Sequence, residues 1–206
     1  MNRVAVTRMA LLAHKEQIAL AEQGLTLLRQ KRAALLRELM QTANHVLAQR
    51  DTLQELAAEA RRALALALAI AGEPAVSSAA LAARGEVWLE MRTAHVMGIS
   101  VPAVEQKQVG RALFGRGYAP VGTSVTIDEA AAAYETEVNH LIRLAESELR
   151  LQRLALEIQR TTRRANALEH VILPRLRAER DRIEMALDER EREAHFRLKR
   201  IKELAA

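Results

Sequence analysis

The sequence predicts an all-α protein: a long antiparallel two-helix coiled coil formed by the N- and C-terminal segments, with a small β-hairpin inserted at the turn-around. Three observations carry this. Apolar residues recur at alternating three- and four-residue spacings at both ends of the 206-residue chain, which is the pattern of a helix with one narrow apolar seam. Aromatic residues make up 2% of the chain, and glycine and proline number 8 and 4, while Ala, Leu, Arg and Glu dominate, the make-up of a long-helix protein. The helix breakers concentrate between Gly72 and Val125, so the two seams are separated by a segment of different character.

From Val4 to Ile70 one heptad frame holds. Val4, Leu11, Ile18, Leu25, Arg32, Leu39, Val46, Leu53, Ala60 and Ala67 share one seam position, and nine of these ten are apolar. The companion position is looser, with Thr7, His14, Thr42 and Gln49 among its members, and each polar seam residue weakens the pairing. The stretch contains no proline and a single glycine, Gly24, so one unbroken helix of roughly 100 Å is expected at 1.5 Å per residue. A seam this narrow cannot enclose a core by itself and has to lie against a second helix.

After Ala71 the pattern changes. Gly72, Pro74, Ser77 and Ser78 are expected to interrupt the helix, leaving residues 79–92 as a short helical or irregular piece. Ala94 to Val104 is rich in β-branched residues and reads as strand, and Phe114 to Val125 reads as loop followed by strand; together they give the hairpin. Gly115, Gly117 and Gly122 lack the Lys-Ser/Thr end of a phosphate loop and read as turn chemistry.

Thr126 followed by Glu129 is a capping-box pattern that opens the last helix. Leu144, Leu151, Ile158, Ala165 and Ile172 keep one seam, with Leu168 beside it; the frame then slips by one residue at Leu173 and continues through Leu176, Ile183, Leu187, Ala194, Ile201 and Leu204. The slip coincides with Pro174, which cannot donate a helical hydrogen bond, so a bend is expected there. The chain thus divides into an N-terminal coiled-coil helix (1–71), a turn-around segment (72–125) and a C-terminal coiled-coil helix (126–206).

Several functions are disfavoured by what the chain lacks. It has no cysteine, which removes thiolate metal sites, disulfides and cysteine nucleophiles. Its six histidines include no i, i+4 pair, so no metal site is expected. Asp188, Glu189, Glu191 and Glu193 are interleaved with Arg190 and Arg192, the pattern of a solvated, ion-paired helix face rather than of catalytic carboxylates. No catalytic residue and no cofactor is assigned. The net charge of +5 is modest and sits on the N-terminal helix, and with so few aromatics nucleic acid is not an expected partner. The longest apolar run, Ala63 to Ala71, is nine residues, about half of what a membrane span needs, and no secretory signal precedes it.

The polar letters add a specific reading. The run TTRRANALEHVILPRLRAERDRIEMALDERERE…FRLKRIK from Thr161 to Lys202 resembles the C-terminal signature of the D subunits of the V/A-type ATPases, the central rotor shaft. VTRMAL at residues 6–11 and AEQGLTLLRQKRAALL at residues 21–36 are similar to the N-terminal part of the same family. Val6 stands where the family usually has proline, and Arg29 where it usually has lysine. The motif positions carried over as partner contacts are Thr7, Arg8, Arg163, Arg164, Asn166, Glu169, Asp188, Glu189, Arg190 and Glu191. The resemblance implies a non-catalytic, cytoplasmic protein, peripheral to the membrane in the soluble sector of a membrane-bound complex. It implies three kinds of partner: the catalytic A/B hexamer around the termini, the small F subunit of the central stalk, and a socket subunit of the C/d type above the membrane ring. Periodicity alone equally suits a static coiled-coil scaffold or adaptor.

Overall fold

The computed structural model describes residues 6–83, 87–106, 115–119 and 122–204. In chain order these form α1 (Arg8–Ala71), α2 (Glu73–Ala82), β1 (Leu89–Val96), β2 (Ile99–Gln106), α3 (Val125–Ala167), a π-helical turn (Leu168–Ile172) and α4 (Leu173–Leu204). They belong to two compact units, a terminal unit of Met1–Ala34 with Ile158–Ala206 and a middle unit of Leu35–Glu157.

The helix α1 is capped by Thr7, its Oγ1 accepting the Ala10 N–H at 3.1 Å. It ends at Gly72, whose φ of 79° is readily available to glycine alone. The chain turns there by 119° and enters α2 at once. Ser77 and Ser78 therefore lie inside a helix and do not interrupt one: Pro74 occupies the first turn, where a missing N–H costs nothing, and Gly72 alone makes the break.

The hairpin is real but is placed differently from expectation. Both arms lie within 89–106, paired antiparallel from Leu89 opposite Gln106 to Val96 opposite Ile99. The two-residue turn is Met97–Gly98, with φ of 51° and 76°, the positive pair that a tight hairpin of right-handed twist requires. The run Ala94 to Val104 is thus the tip of a hairpin and not a single strand. Pro102 is tolerated opposite Thr93 because each strand of a two-stranded ribbon is an edge. Residues 115–119 and 122–124 form loop and turn, and Val125 already begins α3, so the second expected strand is not found there; Phe114, Pro120 and Val121 lie outside the described residues. The cap of α3 is Ser124, whose Oγ accepts the Thr126 N–H at 3.4 Å and whose carbonyl accepts the Ile127 N–H at 3.0 Å. Thr126 itself sits inside the helix.

In the middle unit one cluster of the core is rich in alanine. Ala67 of α1, Ala79 of α2, and Ile127 and Ala130 of α3 cluster with Ala63, Ala71, Val76 and Tyr118 packed around them. Alanine at these points lets the three helices approach closely. Leu35 and Leu154 are fully buried farther along α1 and α3.

In the terminal unit α1 runs antiparallel to the C-terminal helix. Ile18, Leu25, Ala165 and Leu173 form its core, with Ala21, Leu28, Leu168 and Leu176 against them. The slip of the seam takes the form of the π-helical turn, in which the Leu173 N–H bonds to the carbonyl of Leu168. One extra residue is held in that turn, next to the proline that cannot complete an ordinary helical ladder. The consequence corrects one seam assignment: Ile172 is 43% exposed while Leu173 is 4% exposed. Leu173→Ala is therefore expected to cost about 2–4 kcal/mol and Ile172→Ala about 1 kcal/mol or less, measured by urea unfolding of the two variants; the reverse order would show an unslipped frame.

Candidate interaction site

A series of ion pairs joins the two helices of the terminal unit. Arg8 pairs with Glu191; Lys15 Nζ lies 3.2 Å from Glu184 Oε1, Arg177 Nη2 2.7 Å from Glu22 Oε1, and Arg29 Nη2 2.7 Å from Glu169 Oε1. On α1 the members fall at every seventh residue. On the partner helix the steps are seven, seven and then eight, and the longer step spans the π-helical turn. The extra residue keeps Glu169 on the same flank as Glu184 and Glu191. Each of these pairs is at least partly exposed, so each contributes at most about 1 kcal/mol. Their effect is on register: a displacement of one helix by one residue turns its face by about 100° and would break all of these pairs together.

The motif positions fall into two groups. Thr7, Arg8, Arg190 and Glu191 come together at the end of the pair, where Thr7 caps α1, Arg8 meets Glu191 and Arg190 Nη1 donates to the Val6 carbonyl at 3.0 Å. Asp188 and Glu189 beside them are exposed, and Glu189 approaches Arg192 of its own helix at 3.6 Å. The second group surrounds the π-helical turn: Glu169 holds Arg29, and Arg163, Arg164 and Asn166 are exposed. About 20 residues separate the groups, on the order of 30 Å along a helix, and they do not form one site. Past Glu193 the side chains of α4 through Leu204 are all exposed, including Phe196, Leu198, Ile201 and Leu204.

The sequence reading missed a polar cluster in the middle unit. Arg116, 8% exposed, extends from the loop preceding α3 and is held at four points: Nε and Nη2 reach the two Glu135 oxygens at 3.3 and 3.2 Å, and Nη1 reaches Asp128 Oδ1 at 3.0 Å and the Asp128 carbonyl at 3.2 Å. Tyr118 donates its hydroxyl to the same Asp128 oxygen at 2.8 Å. The Glu135 bonds, against the opposing effect of burial, push the Arg116 pKa further up, and burial followed by the Asp128 bond pushes that of Tyr118 up. The available signal was Asp128 and Glu135 seven residues apart on one helix face, with a lone arginine between two glycines just upstream. Glycine spacing instead suggested only turn chemistry.

A family model described as the D subunit of ATP synthase matches residues 10–203. The chain belongs to the ATP synthase D-subunit family. Among curated relatives, the V-type ATP synthase D subunit of Anaeromyxobacter sp. (strain Fw109-5) is 44% identical over 202 residues, covering 98% of this chain and 94% of its own length. The A-type ATP synthase D subunit of Pyrococcus furiosus is 41% identical over 202 residues with the same coverage, and that of Halorubrum lacusprofundi is 39% identical over 199 residues, covering 97% of this chain and 87% of the relative. The matches run through the middle segment as well as both ends, so membership of the D-subunit family does not rest on the terminal motifs alone.

Removing the guanidinium from this D-subunit chain strands two largely buried carboxylates. Arg116→Met is expected to cost about 3 kcal/mol, and to cost distinctly less when Glu135 is already Gln. Thermal unfolding of the two single variants and the double variant checks this; additive losses would show that Arg116 and Glu135 act independently.

Proposed function

We propose that this chain is the central rotor shaft of a V/A-type ATP synthase, a non-catalytic component that transmits torque between the membrane ion-translocating ring and the catalytic A/B hexamer. In this reading both termini enter the cavity of the hexamer, the small F subunit binds the lower part of the shaft, and a socket subunit of the C/d type receives the opposite end above the membrane ring. The protein is then peripheral to the membrane, in the soluble sector of the complex, and ion flow and nucleotide turnover communicate through its rotation.

The observation that carries the proposal is the registered pairing of the terminal unit. A shaft under torque fails if its two helices slide or unwind past one another. The buried Leu25, Leu173 and Ile183 seam supplies cohesion, and the inter-helix ion pairs penalise any shift of register. The exposed tip of α4 from Glu193 onward leaves a length of helix available to the hexamer. Family membership supports the same assignment, and no single helix among those described is long and apolar enough to cross a membrane.

The absence of native cysteine makes the test clean. A single cysteine at Arg197, joined by a disulfide to one head subunit, is expected to stop ATP hydrolysis on oxidation and to release it on reduction, because the catalytic sites exchange states only while the shaft turns. A helix tip can unwind around a fixed end, so the experiment is repeated at Ala186 within the paired seam. Undiminished turnover in the verified cross-link at Ala186 would identify a static scaffold instead.

A further inference from the structure

Within the middle unit the seam between α1 and α3 changes character over two heptads. One α1 position stays apolar through Leu39, Val46 and Leu53, but the companion position, filled by Leu35 and Leu56 at its ends, carries Thr42 and Gln49 between them. Thr42 is buried and Gln49 half-buried, and with Arg143, Glu146, Ser147 and Arg150 of α3 they line a cavity of about 330 Å³ whose walls are polar or charged throughout. The packing outside this stretch is apolar. Leu35 of α1 and Leu154 of α3 are fully buried toward one end, and Ala60 of α1 is fully buried toward the other.

Two buried atoms on the cavity have no hydrogen-bond partner in the chain, the Gln49 Oε1 acceptor and the Arg150 Nε donor. Arg150 gives its Nη2 to Glu38, and that bond leaves its Nε unanswered. A buried donor and a buried acceptor in a polar cavity with room for several water molecules are satisfied by water. Gln41, His45 and Arg143 on the border are exposed, so this water exchanges with the solvent. A dry seam resists twisting, because displacement opens voids and forfeits close contacts. A hydrated seam resists it less, since water re-forms its bonds to long side chains such as Gln49 and Arg150 as they move.

We propose that the stretch from Thr42 to Gln49, against Arg143 to Arg150, is a hydrated twist point at which α1 and α3 turn about one another while the apolar layers on either side stay closed. The helices themselves are continuous through it, so the yielding element is the interface and not the backbone. For the shaft reading given above, on which this consequence rests, the polar stretch is where the middle unit takes up torsion. The apolar half of the seam, Val46 with Leu144, is buried and keeps the helices together there.

Hydrogen exchange on the full free chain tests the twist point without reference to rotation. Amides of 42–49 and 143–150 are expected to exchange about tenfold faster than those of the flanking apolar heptads, as a segment that opens locally does. Filling the seam with Thr42→Val and Gln49→Leu is expected to remove that difference. Gln49→Ala, which deletes the unanswered acceptor without adding bulk, is expected not to lower the melting temperature, and it decides the matter if the filled variant fails to fold. Exchange equal to that of the flanks in the wild type, or a lowered melting temperature in Gln49→Ala, would show a rigid, fully bonded network and overturn the proposal. In the assembled complex without nucleotide, a probe on Ser100 should show a narrower angular spread in the filled variant. An unchanged spread overturns the mechanical consequence, whereas a probe that never turns with ATP counts against the shaft reading and leaves the exchange result standing.

Discussion

The antiparallel pairing of α1 with the C-terminal helix in the terminal unit is the constraint on which the rest of this protein depends. Its seam is one side chain wide, so cohesion comes from a short list of buried residues, Ile18, Leu25, Ala165, Leu173 and Ile183. A narrow seam is cohesive but permissive, because neighbouring heptads are chemically alike and a shift by one heptad would bury a similar set. The charged flank removes that freedom. Glu22 meets arginine while Lys15 and Arg29 meet glutamates, so a shift of seven residues would bring like charges face to face. Weak, partly exposed ion pairs thereby specify a register that the apolar contacts stabilise without specifying.

The π-helical turn shows how an apparent defect is absorbed. Pro174 forbids one helical hydrogen bond, and the chain responds by holding one extra residue, with the Leu173 N–H bonded to Leu168. That residue shifts the seam from Ile172 to Leu173 and keeps Glu169 aligned with Arg29. In the middle unit a different device serves a related end: alanines bring α1, α2 and α3 close, and Arg116 ties the preceding loop to α3 through Asp128 and Glu135. Both arrangements favour stiffness, which suits the proposed transmission of torque.

The helices were legible in the sequence because periodicity is a local property, readable from the spacing of residues such as Leu11, Ile18 and Leu25. The family was legible from polar letters at the two ends. What was not legible depended on geometry that residue type does not announce. The hairpin turn lies at Met97–Gly98, and nothing about methionine signals a positive φ, so AHVMGISV read as one strand. The serines at 77 and 78 looked like breakers, whereas they lie inside α2 and Gly72 alone separates it from α1. Of the candidate contacts, the pairing of Arg8 with Glu191 spans most of the chain and requires the register to be known first. The Arg116 cluster escaped for the same reason: its partners are recognisable only once the loop is folded onto α3.

The central claim, that this chain turns as a shaft, is tested most directly by watching it move. With the head hexamer fixed to a surface and a probe attached through a single cysteine at the exposed Ser100 of β2, the account predicts unidirectional stepwise rotation of the probe that starts with ATP and stops when ATP is removed. A probe that keeps a fixed orientation while the same complexes hydrolyse ATP would contradict it.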